Sequence, residues 1–281
     1  MPQIRWGILG PGRIARAFHE AVAHSGSGIV QAVASRNPQR SELTLAFPGA
    51  TIVAGYDTLL ASPEVDAIYI ATPHPGHAHW AIRAAKAGKH VLVEKPIAMS
   101  ARETIAVFDA FAKSGTFVGE AYMYRLHPLT RKLGELVASG AIGEIRMIQS
   151  SFGFHALRQG PDDRLFAKRL GGGGILDVGG YPVSMARFIA GAAVGKPFLD
   201  PIDVTGLARL NKEGVDEWAT AVLKFENGII AQLSCAVSVE LDNVLRIHGQ
   251  TGRIEVPDFW FAGGTALAGG SGLINIVRPD G

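Results

Sequence analysis

The chain has 281 residues, of which 47% are hydrophobic and 19% charged, a composition typical of a folded globular protein. This length exceeds what one hydrophobic core usually serves, so two domains are expected. The net charge is only +2, without blocks of like charge, which argues against a nucleic-acid or anionic membrane partner. Cys235 is the single cysteine, which excludes an internal disulfide or a thiolate zinc cluster and favours a reducing compartment.

The N-terminal stretch MPQIRWGILG runs directly into a strand pattern, without a basic segment or a small-residue cleavage site. No apolar run approaches the ~18 residues that a membrane-spanning helix needs. The expected location is therefore the cytoplasm, with no membrane contact.

Short apolar runs alternate with helical patterns over residues 1–120. The predicted strands are IRWGIL, IVQAVAS, AIYIA, HVLVE and TFVGE. The predicted helices are RIARAFHEAVAHS, PQRSELTLAF, HAHWAIRAAKAG and ARETIAVFDAFAKSG. This alternation predicts an α/β domain of the Rossmann type, a doubly wound parallel sheet with helices on both faces.

The first predicted strand ends in GILGPGRIA, a GxGxxA pattern between a strand and a helix. Glycines there let backbone N–H groups approach a pyrophosphate at the helix N-terminus. A lone pattern of this kind is weak, but its place at the start of an alternating domain supports dinucleotide binding. The residues predicted to contact the cofactor are Gly10, Pro11, Gly12, Arg13 and Ile14.

The second predicted strand ends in Ser35, Arg36 and Asn37, where NAD-binding proteins usually place an acid for the ribose. Arg36 and Arg40 offer forked donors that match a phosphate. NADP is therefore predicted over NAD, with Ser35, Arg36 and Arg40 at the adenosine end. The alternative is that both arginines are solvated surface charges.

The segment ATPHPGHAHW follows the strand AIYIA, at the sheet edge where ligands of open α/β sheets bind. Thr72, Pro73, His74 and His77 are predicted to contact the dinucleotide. A zinc site built on the three histidines of this segment is a weaker alternative, because no carboxylate or thiolate lies nearby in sequence. No metal is predicted.

The run HVLVEKP brings Glu94 and Lys95 to the same edge, where the nicotinamide should lie. Lys95 is predicted to act as a base, since partial burial and an oxidised nicotinamide would favour its neutral form. Glu94 would orient the lysine or contact the ribose. The alternative is that strand ends meet solvent and carry ordinary charges.

Residues 121–281 show a different rhythm, with helical patterns in LTRKLGELVASG and ILDVGGYPVSMARFIA and mostly strands elsewhere. In WATAVLKFENGIIAQLSCAVSVE, Asn227 and Gly228 predict a two-residue hairpin. Alternating residues from Ile229 to Val239 predict an apolar face that the two helices cover. This part is expected to be an α+β domain with an open, mostly antiparallel sheet for substrate binding and oligomerisation. The glycine-rich stretch FAGGTALAGGSG is predicted to be a loop.

The stretch GGGGILDVGGYP places Asp177 and Tyr181 four residues apart, on one face of a helix. A lysine, a carboxylate and a phenol at one hydroxyl-bearing carbon would relay its proton while hydride leaves for the nicotinamide. Spacing alone supports equally the alternative that Asp177 caps a helix and Tyr181 packs in the core.

Four stretches resemble a known family in their order and spacing: GILGPGRIA, ATPHPGHAHWAIRAAKAGKHVLVEKP, EAYMYRLHP and GGGGILDVGGYP. They are similar to the glucose-fructose oxidoreductase, inositol dehydrogenase and MocA family, over residues 1 to about 255. The resemblance implies that Lys95, Asp177 and Tyr181 form the catalytic set. Tyrosine at the last position looks like the branch of dihydrodiol dehydrogenases, xylose dehydrogenases and glucose-fructose oxidoreductase.

The expected function is an NADP-dependent oxidoreductase that transfers hydride between the nicotinamide and a secondary alcohol of a sugar, cyclitol or cyclic diol. Two alternatives are a redox-assisted glycosidase or lyase with tightly held cofactor, and a non-catalytic regulator that senses dinucleotide. The weaker candidates for the substrate wall come from loops near the domain junction: Tyr122, Arg125, His127, Phe154 and Arg164.

By analogy, a homodimer or homotetramer through the C-terminal sheet is expected. The chain ends at INIVRPDG, where related proteins typically continue for some tens of residues. Either the protein is shortened or the sequence is a fragment, and in both cases the second sheet is expected to be incomplete.

Overall fold

The computed structural model describes residues 3–158, 160, 162–261 and 272–279. They divide into two compact units, and the division falls between Ala121 and Tyr122. The residues that the structure describes contain no helix long and apolar enough to cross a membrane.

The first unit is built on a parallel sheet. Its strands are β1 (Ile4–Leu9), β2 (Gly28–Ser35), β3 (Thr51–Ala54), β4 (Ala67–Ile70), β5 (His90–Val93) and β6 (Val118–Glu120). Their order in the sheet is β3-β2-β1-β4-β5-β6, the doubly wound arrangement that the alternation predicts. Its helices are α1 (Arg13–Ser25), α2 (Glu42–Ala46), α3 (Tyr56–Leu60), α4 (His77–Lys86) and α5 (Ala101–Ser114).

Both faces of this sheet are covered, as expected. Ile8 of β1 packs in a core with residues of α1 and α2, whereas Leu9 packs in a second core with residues of α3, α4 and α5. Adjacent strand residues point to opposite faces, so a strand buried on both sides is apolar throughout.

The sequence prediction is wrong between β2 and β4. The helix predicted over residues 38–47 is only the five residues of α2, and the edge strand β3 and the short helix α3 were not predicted. A four-residue edge strand contains too few alternations to be distinguished from a loop.

The second unit contains helices α6 (Pro128–Ala138) and α7 (Gly180–Ala192) and a second sheet. Its described strands are β7 (Ile145–Gly153), β8 (Pro201–Leu210), β9 (Asp216–Phe225), β10 (Ile230–Ala236), β11 (Leu245–Gly249), β12 (Arg253–Val256) and β13 (Asn275–Val277). Their order is β13-β12-β11-β7-β10-β9-β8, and in the described sheet only the β7–β10 pair is parallel. Leu133 of α6 and Met185 of α7 pack with Leu233 of β10, so the predicted helical cover is confirmed.

The β9–β10 hairpin is confirmed, but its loop has three residues instead of two. Phe225 donates its N–H to the Ile229 carbonyl at 3.0 Å, which closes the loop over residues 226–228. Gly228 adopts φ +84°, the left-handed conformation typical of three-residue hairpin loops. Val239 is 36% exposed and lies beyond the end of β10, so its predicted place on the buried face is also wrong. Most of the glycine-rich stretch, residues 262–271, lies outside the described residues.

Candidate active site

The turn between β1 and α1 has the geometry of a phosphate-binding loop. Gly10 adopts φ +94°, and a Cβ there would lie 2.9 Å from the carbonyl oxygen of Ala71. Gly12 precedes α1 without a side-chain cap, and a Cβ on it would meet nothing within 4 Å. The first N–H groups of a helix need external partners, so the open space in front of α1 fits an anion such as a pyrophosphate. Pro11, Arg13 and Ile14 are accessible around it.

Thr72 supplies an independent indication of a ligand beside this turn. It is 8% exposed, and its Oγ1 is buried without a hydrogen-bond partner among the described residues. A Cβ on Gly10 would lie 3.2 Å from the Thr72 nitrogen, so the turn and Thr72 are neighbours. A buried hydroxyl without a partner is costly, and a polar ligand would satisfy it.

The end of β2 carries the two predicted phosphate ligands. Ser35 is buried, and its Oγ accepts the Asn37 N–H at 3.0 Å, which shapes the turn. Arg36 is exposed and hydrogen-bonds Tyr56, whose pKa is raised by burial and lowered in part by this arginine. Arg40 directs Nε and Nη2 at the Glu42 carboxylate, at 2.8 and 2.6 Å. One of the two arginines on which the NADP prediction depends, Arg40, is therefore held by an acid that sequence reasoning missed.

His77 corrects one prediction. Its side chain is fully buried, with Nδ1 2.7 Å from the Pro96 carbonyl oxygen and Nε2 2.7 Å from that of Thr72. With no accessible atom, the ring does not contact a dinucleotide directly, and its role is to hold two loops together. Pro73 is exposed and His74 is half-buried in the loop that precedes it.

Two carboxylates lie close to Lys95, Glu94 in the sequence and Glu120 in space. Glu94 accepts a short hydrogen bond from the Tyr69 hydroxyl, and Glu120 accepts the Ile97 N–H at 2.7 Å. Burial raises the pKa of Glu120, the positive charge of Lys95 lowers it, and Glu94 raises it. Glu120 and Tyr69 were absent from the predicted site, since nothing in their local sequence distinguishes them from other strand residues.

In the second unit, Asp177 lies in a π-helical turn, Ile175–Gly179, which leads into α7. Such widened turns are frequent at functional sites. Asp177 is 4% exposed, and its Oδ1 accepts a hydrogen bond from Arg164 Nη1 at 2.9 Å. The structure thus joins a predicted catalytic residue to a predicted substrate-wall residue.

Asp216 of β9 caps the π-helical turn that contains Asp177, and the sequence analysis did not identify Asp216. Its Oδ2 accepts the Ile175 N–H at 2.7 Å, so Asp177 is not the cap. A Cβ on Gly173 would lie 2.3 Å from Asp216 Oδ1, which explains why glycine precedes the helix. Burial raises the pKa of Asp216, and backbone hydrogen bonds from Ile175 and Gly174 oppose that rise. No spacing pattern links residues 39 to 43 positions apart, so only the fold shows this contact.

Tyr181 packs into an aromatic cluster and is 4% exposed. Its ring centroid lies 4.8 Å from that of Tyr122 and 5.0 Å from that of Phe152, and its hydroxyl lies 3.5 Å from Sδ of Met123. A Cβ on Gly180 would lie 1.9 Å from the Tyr122 hydroxyl, so that glycine makes room for Tyr122. The phenol ring is thus held rigidly by the core of its unit.

The other substrate-wall candidates have structural partners in the same unit. Arg125 is stacked between the rings of Phe188 and Phe198, at 4.8 and 4.5 Å, and its contact with a substrate stays a prediction. His127 caps α6 by accepting the Leu129 N–H on Nδ1 at 3.2 Å. Phe154 packs against the core. Across the described ranges, no group of three His, Cys, Asp or Glu residues could hold a metal ion.

Comparison with known proteins identifies relatives of both units. Residues 4–122 match an oxidoreductase family with an NAD-binding Rossmann fold, and residues 130–255 match the GFO/IDH/MocA C-terminal domain. D-xylose 1-dehydrogenase (NADP(+)) 2 of Haloferax volcanii is 35% identical over 94% of this chain and 78% of its own length. Mouse trans-1,2-dihydrobenzene-1,2-diol dehydrogenase is 31% identical over 92% of this chain and 75% of its own length.

Solved structures agree with these matches. A 3-ketoreductase from Actinomadura kijaniata, crystallised with NADP and TDP-benzene, superposes with a TM-score of 0.84 at 30% identity. The superposition covers 100% of this chain and 83% of the ketoreductase. Both domain architectures predicted from the sequence are therefore confirmed.

Proposed function

The chain belongs to the GFO/IDH/MocA family of NAD(P)-binding oxidoreductases, and from that membership we propose that it is an NADP-dependent dehydrogenase or reductase. Its substrate is a secondary alcohol, or the matching ketone, of a sugar, cyclitol or cyclic diol. The observation that carries the cofactor assignment is the uncapped N-terminus of α1 beside the orphaned Thr72 hydroxyl. A pyrophosphate at the helix N-terminus would accept hydrogen bonds from its free N–H groups.

The preference for NADP depends on charge at the end of β2. Arg36 and Arg40 are exposed there, and no acid takes the place that a ribose-binding carboxylate would have. A 2′-phosphate offers oxygens to both guanidinium groups, whereas a free ribose hydroxyl offers them no counter-charge. The xylose dehydrogenase relative is named for NADP, and the ketoreductase relative was crystallised with it.

The bound nicotinamide supplies the hydride acceptor or donor. In the proposed mechanism, Lys95 and Tyr181 exchange a proton with the substrate hydroxyl, and Asp177 tunes their proton affinity. The positive charge of Lys95 acts on the buried Glu120 carboxylate, whose pKa it lowers, and Arg164 holds the Asp177 carboxylate. Structures of the ketoreductase relative exist with a lysine replaced by alanine or glutamate and with a tyrosine replaced by phenylalanine. These are the residue types proposed here for proton exchange.

The first experiment is a fluorescence titration of the cofactor-free protein with NADPH and with NADH. We expect at least tenfold tighter binding of NADPH, about 1.4 kcal/mol. A screen of sugars, cyclitols and cyclic diols by nicotinamide absorbance follows. Lys95→Ala should abolish turnover and leave NADPH affinity within about threefold, with Lys113→Ala on the exposed side of α5 as the matched control.

Other results would replace this proposal. Turnover of a glycoside without net nicotinamide change indicates a redox-assisted glycosidase or lyase. Tight binding of NADPH without turnover of any tested alcohol indicates a dinucleotide sensor, and binding of neither dinucleotide by folded protein removes the dehydrogenase assignment.

Self-association through the outer face of the second sheet is a further part of the proposal. Five apolar residues on that face are 41–80% exposed: Met147, Leu207, Trp218, Val222 and Ile230. An exposed apolar surface of this kind is typical of an interaction site, and a two-fold axis lets one face cover itself. The double variant Leu207→Lys, Val222→Lys should be monomeric by analytical ultracentrifugation, with the wild type a homodimer or tetramer. A cytoplasmic location is proposed from the single cysteine.

A further inference from the structure

His77 connects the two loops that carry the proposed cofactor and proton-transfer groups of the first unit. It is the first residue of α4, and its side chain is 0% exposed. Nε2 contacts the Thr72 carbonyl oxygen after β4, and Nδ1 contacts the Pro96 carbonyl oxygen after β5, both at 2.7 Å. Because β4 and β5 are neighbours in the sheet, the ring bridges two adjacent strand ends.

The chemistry of these contacts restricts the state of the ring. A carbonyl oxygen only accepts hydrogen bonds, so both contacts are favourable only when both ring nitrogens carry protons. A neutral imidazole would direct a lone pair at one of the oxygens. A fully buried ring with two such partners has no water to which it could turn.

Neighbouring groups act on this ring in opposite directions. Burial, the largest effect, lowers the pKa of His77, and the positive charge of Lys95 also lowers it. The two carbonyls and the negative charge of Glu94 raise it. The ring of His74 lies 5.6 Å away, centroid to centroid. Burial outweighs the other effects, so the pKa of His77 lies below the ordinary value of a histidine. The two short contacts to carbonyl oxygens point the other way, and on that geometry we assign a proton to each ring nitrogen.

We propose that His77 is a positioning residue for Lys95, and that its ring donates one hydrogen bond to Thr72 and one to Pro96. Pro96 directly follows Lys95, so a fixed Pro96 carbonyl limits where the lysine backbone can lie. The second hydrogen bond sets the backbone of Thr72, which is a neighbour of the Gly10 turn. The consequence for turnover depends on the proposed function, but the positioning itself does not.

The test reads the environment of Lys95 directly and needs neither cofactor nor substrate. Lysines of the whole protein are reductively methylated with ¹³C-formaldehyde, and the Lys95 signal is identified by its loss in Lys95→Arg. We expect the Lys95 methyl resonance to shift in His77→Phe and to return toward its wild-type position in His77→Gln, whose amide can donate again. His79→Phe, an exposed change on the same helix, is the matched control and should leave the resonance unchanged. An unshifted Lys95 resonance in folded His77→Phe would overturn the positioning role.

A second measurement on the wild type keeps the proposal testable if these variants do not fold. In ¹⁵N-histidine-labelled protein, a fully buried ring with two bonded N–H groups should give two slowly exchanging ring protons on one imidazole. A single ring proton for the slowly exchanging histidine at neutral pH would overturn the two-donor arrangement. Loss of NADPH binding would affect neither readout, so a failure of the proposed function is distinguishable from a failure of this inference.

Discussion

Arg164 Nη1 donates a hydrogen bond to Asp177 Oδ1 at 2.9 Å, which joins a guanidinium that is 53% exposed to a carboxylate that is 4% exposed. Asp177 lies in the π-helical turn that leads into α7, the helix that carries Tyr181, and Arg164 lies in the loop before this turn. Removing Arg164 leaves a buried carboxylate without a compensating charge. Removing Asp177 instead leaves a guanidinium group that solvent can hydrate. Replacing Arg164 is therefore expected to affect folding as well as chemistry.

Replacing Arg164 by Gln should lower kcat for the substrate found by screening by about tenfold or more, since one pKa unit of a proton-transfer group corresponds to about 1.4 kcal/mol. The free energy of unfolding should fall by about 1–3 kcal/mol, because the buried Asp177 carboxylate loses a hydrogen-bond donor. Steady-state kinetics and urea unfolding measure the two effects. Arg169→Gln, in an exposed pair with Asp162, is the control, and equal losses of kcat in both variants would contradict this role.

Replacing Asp216 by Ala should destabilise the protein by about 1–2 kcal/mol, because the Ile175 N–H loses its acceptor and the helix loses its cap. Asp216→Asn should cost much less, since its amide oxygen accepts the same bond and the buried charge disappears. Burial raises the pKa of Asp216, which means that the folded state disfavours the carboxylate form. The free energy of unfolding should therefore fall as the pH rises above the pKa that Asp216 has in the unfolded chain. Urea unfolding at pH 7 compares the variants, and an Asn variant as unstable as the Ala variant would exclude this account.

Replacing Glu42 by Gln should tighten NADPH binding by about two- to fivefold. Arg40 directs its Nε and Nη2 donors at Glu42, and solvent and salt weaken such an exposed pair, so little is lost when it is broken. NADH affinity should not change, since it has no phosphate for the released arginine. Fluorescence titration with both dinucleotides measures this, with Glu20→Gln on α1 as the control. Equal tightening for NADH would show that Arg40 does not contact the 2′-phosphate.

Replacing Asp66 by Asn should remove a pH-dependent contribution to stability. The side chain and backbone of Arg5 donate to this carboxylate and lower its pKa to about 2. Because the pKa of Asp66 is lower in the folded than in the unfolded state, its carboxylate stabilises the fold at pH values above the unfolded pKa, near 3.8. This stabilisation is lost as the pH falls toward 2. Because both side chains are more than a third exposed, the effect should be at most about 1 kcal/mol at pH 7. The free energy of unfolding, measured from pH 7 to pH 3, should differ less and less between the Asn variant and the wild type. A difference that stays constant over this range would contradict the prediction.

Local sequence pattern was sufficient to predict the longer helices and strands of the first unit. The helix predicted over RIARAFHEAVAHS is α1 to the residue, because its apolar period and the following Gly26 define both core face and end. The same reasoning missed β3, since a four-residue edge strand has little pattern of its own. Gly10 and Gly12 were identified from the GxGxxA pattern, and at Gly10 the backbone itself requires glycine.

Contacts between distant segments could not be derived from the sequence. His77 was predicted at the ligand edge, and only packing shows that its ring is enclosed between two carbonyls. Asp216 and Glu120 act on site residues from other strands, and Arg125 is held by two phenylalanines far along the chain. Periodicity and spacing report which face of an element is apolar, because that depends on neighbours within a few residues. Which polar group meets which depends on strand order and register, and these are decided by the tertiary structure.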